Sequence, residues 1–265
     1  MTIHTLASGS SGNAALLSWT GGRLLVDAGI SCRRICQSLK ALGLGPRDLD
    51  GILITHTHSD HISGLQTLLK YTYCPLLASA PAGEELRLRF PGAEGRLWPV
   101  PMCTPVSLRG GCSVTAVPVS HDAPGSCGYR FDTAEGSAAL LTDTGYITPE
   151  AKALLPGVSL AVLEANHDVE TLESGPYPYF LKRRILGPKG HLSNEASAAF
   201  AVALAEAGAA ELVLAHLSQE NNTPAMAYRA VETALSAAGL APALSVAPRD
   251  RMGEPHEVGR PPCKK

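Results

Sequence analysis

Six consecutive residues, His56-Thr57-His58-Ser59-Asp60-His61, constrain this chain more than any other feature. A packed core has little use for three imidazoles and a carboxylate so close together, because each buried polar group needs a partner. Imidazole nitrogen and carboxylate oxygen are, however, the donors that zinc, manganese and iron accept. Just before them, Gly51-Ile52-Leu53-Ile54-Thr55 is apolar and partly β-branched and reads as a buried strand. Just after, Ile62, Leu65, Leu68 and Leu69 recur at helical spacing, which predicts a helix over 62–71. The six residues therefore occupy a strand-to-helix turn, where side chains can converge on a point beyond the strand end.

So few residues cannot complete a site, and three later positions repeat the same signature. His121 follows the apolar run Val114-Thr115-Ala116-Val117, Asp143 follows Ala139-Leu140-Leu141-Thr142, and His216 follows Leu212-Val213-Leu214-Ala215. Each is a metal-type ligand at the end of a hydrophobic strand, and strand ends are where sheets build sites.

With 265 residues, 45% apolar and 17% charged, the chain is an ordinary globular protein with room for a sizeable core. A net charge of −2 excludes a global basic footprint for nucleic acid, so any such binding needs a local patch. Lys182-Arg183-Arg184 and Lys189 supply one candidate, a solvated helix face being the other meaning of such a run. No signal peptide is expected, and the most apolar region, residues 196–217, is too interrupted by Glu206, Gly208 and Glu211 to span a bilayer. Seven cysteines without a C-x-x-C pair argue against a disulfide framework or a cysteine-based zinc site. A cytoplasmic, reduced protein fits these features.

Two hairpins open the chain. The loop Ser8-Gly9-Ser10-Ser11-Gly12-Asn13 between the first two strands reads either as a phosphate-approaching loop or as a plain turn. A helix over 31–43, the metal turn and a strand over 76–79 follow. Short strands dominate residues 96–142, and strand and helix alternate from residue 159 onward, with Thr223-Pro224 starting the last helix. Residues 1–248 are expected to form a single domain, and the polar, Pro/Gly-rich segment 249–265 a disordered tail.

The pattern His56-x-His58-x-Asp60-His61, then His121, Asp143 and His216, resembles the metallo-β-lactamase superfamily, and the resemblance runs from the first hairpin to about residue 247. It implies a four-layer αβ/βα sandwich, two mixed sheets flanked by helices, with two divalent metal ions at one edge. It implies that His56, His58 and His121 hold one ion, that Asp60, His61 and His216 hold the second, and that Asp143 bridges them. Ala7-Ser8-Gly9-Ser10-Ser11-Gly12-Asn13-Ala14, Thr142-Asp143-Thr144-Gly145-Tyr146, Glu164-Ala165-Asn166-His167-Asp168, Gly190-His191-Leu192-Ser193-Asn194-Glu195 and His216-Leu217-Ser218-Gln219-Glu220-Asn221-Asn222 narrow it further, being similar to the YycJ/WalJ group. That group comprises bacterial cytoplasmic proteins linked to DNA exonuclease activity. They lack the β-CASP insert of larger nucleic-acid-cutting relatives, and this chain has no room for one between Asp143 and His216.

The implied activity is a metal-dependent phosphodiesterase acting on nucleic acid, expected to be a DNA exonuclease, with zinc or manganese, or else iron. Two such ions make hydroxide available near neutral pH and clamp both oxygens of an in-line displacement at phosphorus. Asp60 is then a catalytic candidate that orients or deprotonates water. His191 is a second, since it lies near a helix start that Ser193 or Asn194 caps, a natural phosphate site. Glu164 and His167 are expected to support the ligands from behind. The alternative is a small-molecule hydrolase acting on a thioester, lactone or lactam at the same dinuclear site. It predicts a narrow pocket in which Lys182, Arg183 and Arg184 are dispensable, where a nuclease needs an open groove with those residues along it.

Overall fold

The computed structural model describes residues 1–258. The first sheet contains β1 (Thr2–Ala7), β2 (Ala14–Trp19), β3 (Gly22–Val26), β4 (Gly51–Leu53), β5 (Leu76–Ala78) and β6 (Leu97–Pro99). The second contains β7 (Val106–Ser107), β8 (Ser113–Pro118), β9 (Cys127–Thr133), β10 (Gly136–Leu141), β11 (Leu160–Glu164), β12 (Glu211–Ala215) and β13 (Ala243–Val246). A last strand, β14 (His256–Glu257), returns to the first sheet beside β1. The strand orders are β14-β1-β2-β3-β4-β5-β6 and β13-β12-β11-β10-β9-β8-β7. Each sheet is mixed. β1 to β3 are antiparallel and β3 to β6 parallel; β7 to β10 are antiparallel and β10 to β13 parallel.

The continuous apolar runs are explained by burial on both faces. In β12, Val213 and Ala215 join the core between the sheets, while Leu212 and Leu214 join the core under the helices. In β3, Leu24 and Val26 face the other sheet and Leu25 faces outward to helices. Helices α1 (Cys32–Ala41), α2 (Ser59–Ile62), α3 (Leu65–Leu68) and α4 (Ala80–Arg89) cover the first sheet. Helices α5 (Pro149–Leu154), α8 (Asn194–Glu206) and α9 (Pro224–Ala237) cover the second, with α6 (Val169–Ser174) and α7 (Tyr179–Ile185) between β11 and α8. The layers are helix, sheet, sheet, helix, the αβ/βα sandwich expected. Only these helices and β11 lie between β10 and β12, so no further domain is inserted there. Of the two capping candidates at α8, Ser193 is the cap, its Oγ accepting from the Ala196 amide at 3.2 Å. Among the described residues no helix is long and apolar enough to cross a membrane.

Two expectations need correction. The predicted helix over 62–71 is interrupted at Gly64. The Gly64 amide donates to Ala28 O at 2.8 Å, and a Cβ there would lie 2.1 Å from Ile30 O, so docking against the 28–32 loop overrides helical continuity. The expected tail from residue 249 is folded as far as it is described. Gly253 N donates to Thr5 O at 2.8 Å, Val258 N donates to Met1 O at 2.9 Å, and β14 pairs antiparallel with β1. Backbone pairing there outweighs a polar, Pro/Gly-rich composition. Residues 259–265, the rest of the expected tail, lie outside the described residues.

Candidate metal centre

The C-terminal ends of β3, β4, β8, β10, β11 and β12 meet at one edge of the sandwich, and the loops leaving them bring Asp27, His56, His121, Asp143, Glu164 and His216 together. Three overlapping groups of ligand-type atoms form among the described residues, each within 4.8 Å of one another: His56, His58 and His121; Asp60, His61, Asp143 and His216; and Asp143, Glu164, His191 and His216. Asp143 lies between the first two groups, with Oδ2 3.3 Å from His61 Nε2, and Oδ1 3.4 Å from His216 Nε2 and 4.0 Å from His121 Nε2.

The imidazoles are oriented from behind. Nδ1 of His61 lies 2.7 Å from Asp27 Oδ2, Nδ1 of His216 3.0 Å from Glu164 Oε1, Nδ1 of His56 3.1 Å from Thr55 Oγ1 and Nδ1 of His121 3.3 Å from Gly190 O. This leaves each Nε2 for the centre, the tautomer a metal-binding histidine needs. His58 is reversed. Its Nδ1 lies 3.1 Å from His121 Nε2, while its Nε2 faces Asp122 at 3.3 Å. His56 Nε2, Asp143 Oδ2 and His216 Nε2 are buried without a hydrogen-bond partner among the described residues. Buried polar atoms are rarely left so, and three of them spread over the first two groups fit divalent cations.

The charges agree. Burial and the neighbouring His61 hold His56 well below the ordinary histidine range, and burial also lowers His121. Burial would lower His216 too, but the carboxylates of Asp143, Asp60 and Glu164 push it up to about 10. Asp143 and Asp27 likewise raise His61. Asp143 and Asp60, despite burial, are held below the ordinary carboxylate range by the imidazoles beside them.

The remaining expected residues divide. Glu164 is fully buried. Its Oε1 lies against Nδ1 of both His191 and His216, at 2.8 and 3.0 Å, and its Oε2 accepts from the Thr144 and Leu192 amides at 2.9 and 3.2 Å. Burial raises its pKa, but His191, His216 and these bonds bring it down to about 2. His191 borders the cleft over the centre, two residues before the cap of α8. His167 is buried with both ring nitrogens unpartnered among the described residues, and its backbone pairs with Ser193. Arg184 and Lys189 border the cleft, Arg184 donating to Asp122 Oδ2 at 2.7 Å. Lys182 and Arg183 face an adjacent hollow instead, and Lys182 Nζ is tied to the carbonyls of Glu173 and Gly175. Loop 8–13 is a scaffold for the ligands: Ser8 Oγ accepts from His216 N at 2.9 Å, and Asn13 Nδ2 lies 3.0 Å from His61 Nε2.

Sequence reasoning missed Asp27 and Asp122. Asp27 has the strand-end signature, after Leu24-Leu25-Val26, but sits far ahead of the cluster. Asp122 directly follows a ligand. A further feature has no sequence signal. Asp27, Asp143 and His216 sit in the left-handed region at φ of 61°, 60° and 57°, which non-glycine residues rarely adopt outside functional sites.

The cleft over the centre measures about 260 Å³, and His58 also borders a second hollow of about 500 Å³ lined by Glu85, Arg89 and Asp122.

This sandwich with this ligand edge defines the class: the chain belongs to the metallo-β-lactamase superfamily, residues 22–217 matching the family model described as beta-lactamase superfamily domain. It is a metal-dependent hydrolase with a site for divalent ions. The likeness to the YycJ/WalJ group covers nearly all of it. It is 37% identical over 240 residues to exodeoxyribonuclease WalJ of Streptococcus pneumoniae, spanning 89% of this chain and 88% of that one. It is 37% identical over 244 residues to exodeoxyribonuclease YycJ of Bacillus anthracis, spanning 90% and 91%. Among solved structures, the metallo-β-lactamase fold protein YhfI of Bacillus subtilis superposes with a TM-score of 0.70 at 16% identity over 95% of this chain and 98% of that one, a likeness of fold.

Proposed function

We propose that this protein is a metal-dependent phosphodiesterase that shortens DNA from an end. The observation that carries the reading is the convergence of seven ligand-type side chains, three with buried donor atoms unpartnered among the described residues, around one open cleft. The names of the WalJ and YycJ relatives support it.

His56, His58 and His121 would hold one ion, Asp60, His61 and His216 a second, and Asp143 both. Zinc, manganese and iron all suit this mixed nitrogen and oxygen set. Such a pair, when bound, supplies an activated water and neutralises charge on the phosphate. The side chains do the rest. Asp60, partly open to the cleft and held ionised by His216 and His61, accepts a hydrogen bond from that water and so orients it. His191, fixed at Nδ1 by Glu164, presents Nε2 to a phosphate oxygen at the start of α8, where the helix dipole also favours negative charge. His167 packs beneath this loop and holds its backbone. Arg184 and Lys189 line the cleft and meet the phosphates of the bound strand.

The test is incubation with end-labelled single- and double-stranded DNA and RNA, with manganese and separately with zinc. Stepwise shortening of DNA from one end is expected, abolished in His58→Ala and much reduced in His191→Ala. Hydrolysis of a thioester or lactam with no strand cleaved would overturn the reading in favour of a small-molecule hydrolase.

A further inference from the structure

Helix α7 wears its aromatic rings on the outside. Tyr179 is 76% and Phe180 73% exposed, and α7 has no buried residue. A solvated helix normally turns polar groups outward and apolar ones inward, and folding gains nothing from rings left in water. The helix is nevertheless fixed. Lys182 Nζ ties it to the end of α6, Arg184 ties it to Asp122, and His191 N donates to Ile185 O at 3.1 Å. The rings therefore stand on a rigid support beside the catalytic cleft.

The helix separates two clefts. Leu181, Arg184 and Ile185 border the one over the metal centre. Tyr179, Lys182, Arg183 and Leu186, spaced i, i+3, i+4 and i+7 and so on one face, line a second of about 360 Å³. Arg183 makes no ion pair or hydrogen bond among the described residues. Adjacent helical residues point about 100° apart, so Tyr179 and Phe180 offer two separate ring faces, with a free guanidinium beside them. Aromatic platforms interleaved with cations, on the helix whose other face walls the cleft proposed to receive a phosphodiester, match unpaired nucleotides: the rings take bases and the cation takes the backbone.

We infer that α7 is a single-strand binding surface, on which Tyr179 and Phe180 stack the unpaired bases adjoining the scissile end and Arg183 holds the intervening phosphate. This rests on the phosphodiesterase reading and adds a substrate form to it: DNA whose end is single-stranded.

The test is fluorescence anisotropy with the full metal-loaded chain and fluorescein-labelled oligothymidylate carrying uncleavable phosphorothioate linkages. Loss of each ring, in Tyr179→Ala and Phe180→Ala, is expected to weaken binding about tenfold. Blunt duplex binding and hydrolysis of bis(p-nitrophenyl) phosphate should stay unchanged, which also shows the variants folded. Tyr179→Leu with Phe180→Leu keeps the apolar area without a π face and is expected to bind as poorly as the alanine pair. Arg183→Ala should flatten the salt dependence by about one unit of slope. Oligothymidylate binding unaffected by the double alanine change, or fully retained by the double leucine change, overturns the inference, as does failure of the unaltered protein to bind oligothymidylate. Ring-dependent binding without cleavage of any polynucleotide would uphold the surface while overturning the exonuclease.

Discussion

Glu164 Oε1 lies 2.8 Å from His191 Nδ1, so the imidazole proposed to meet the phosphate is oriented by the same carboxylate oxygen that orients the proposed ligand His216. Removing its charge should disturb both without removing a ligand. Glu164→Gln is expected to lower kcat about 10- to 100-fold, with metal content near normal by elemental analysis. Unchanged turnover would refute the shared orientation.

Asp27 holds His61 as Glu164 holds His216, through a 2.7 Å contact with Nδ1, and its other oxygen accepts from the Thr55 amide at 2.9 Å. Asp27→Asn should weaken affinity at the second site about 10- to 100-fold. A competition titration against a chromophoric chelator measures this, and equal affinity would show that Thr55 alone orients the ring.

Metal uptake should release protons. His216, raised to about 10, and His61, raised by Asp143 and Asp27, are protonated in the metal-free protein at neutral pH, and an ion binds only the neutral ring. Binding of both ions at pH ~7 is therefore expected to release roughly two protons, and affinity should rise with pH until His216 loses its proton near 10. Zinc titration calorimetry in buffers of different ionisation enthalpy counts the protons; a count of zero refutes the expectation.

Deleting residues 249–265 should destabilise the fold. It removes β14, leaves β1 as an exposed edge and strips Arg249 from the Ser218 carbonyl. The melting temperature is expected to fall by roughly 5 °C or more, with increased aggregation. An unchanged melting temperature would make the segment dispensable.

The seven residues that converge at the sheet edge were legible because their residue types have few other uses at the ends of apolar strands. The fold followed, because continuous apolar runs fit only strands covered on both faces. What escaped was set by backbone geometry. Gly64 breaks a well-patterned helix because the 28–32 loop docks on it. The 249–258 segment is held through main-chain bonds to β1, to which composition is blind. Lys182-Arg183-Arg184 reads as one basic patch, yet the helical turn sends Arg184 to the catalytic cleft and Lys182 and Arg183 to the next.

Asp27, Asp143 and His216 hold their backbones at φ near +60°, and such a residue costs about 1–3 kcal/mol. Glycine would relax each backbone, but it would also strip a buried group from partners of opposite charge: Asp27 and Asp143 from His61, and His216 from Asp143 and Glu164. The strained backbone is thus held in place by the charges it brings together, and a glycine chosen there for its backbone freedom would lower stability rather than raise it.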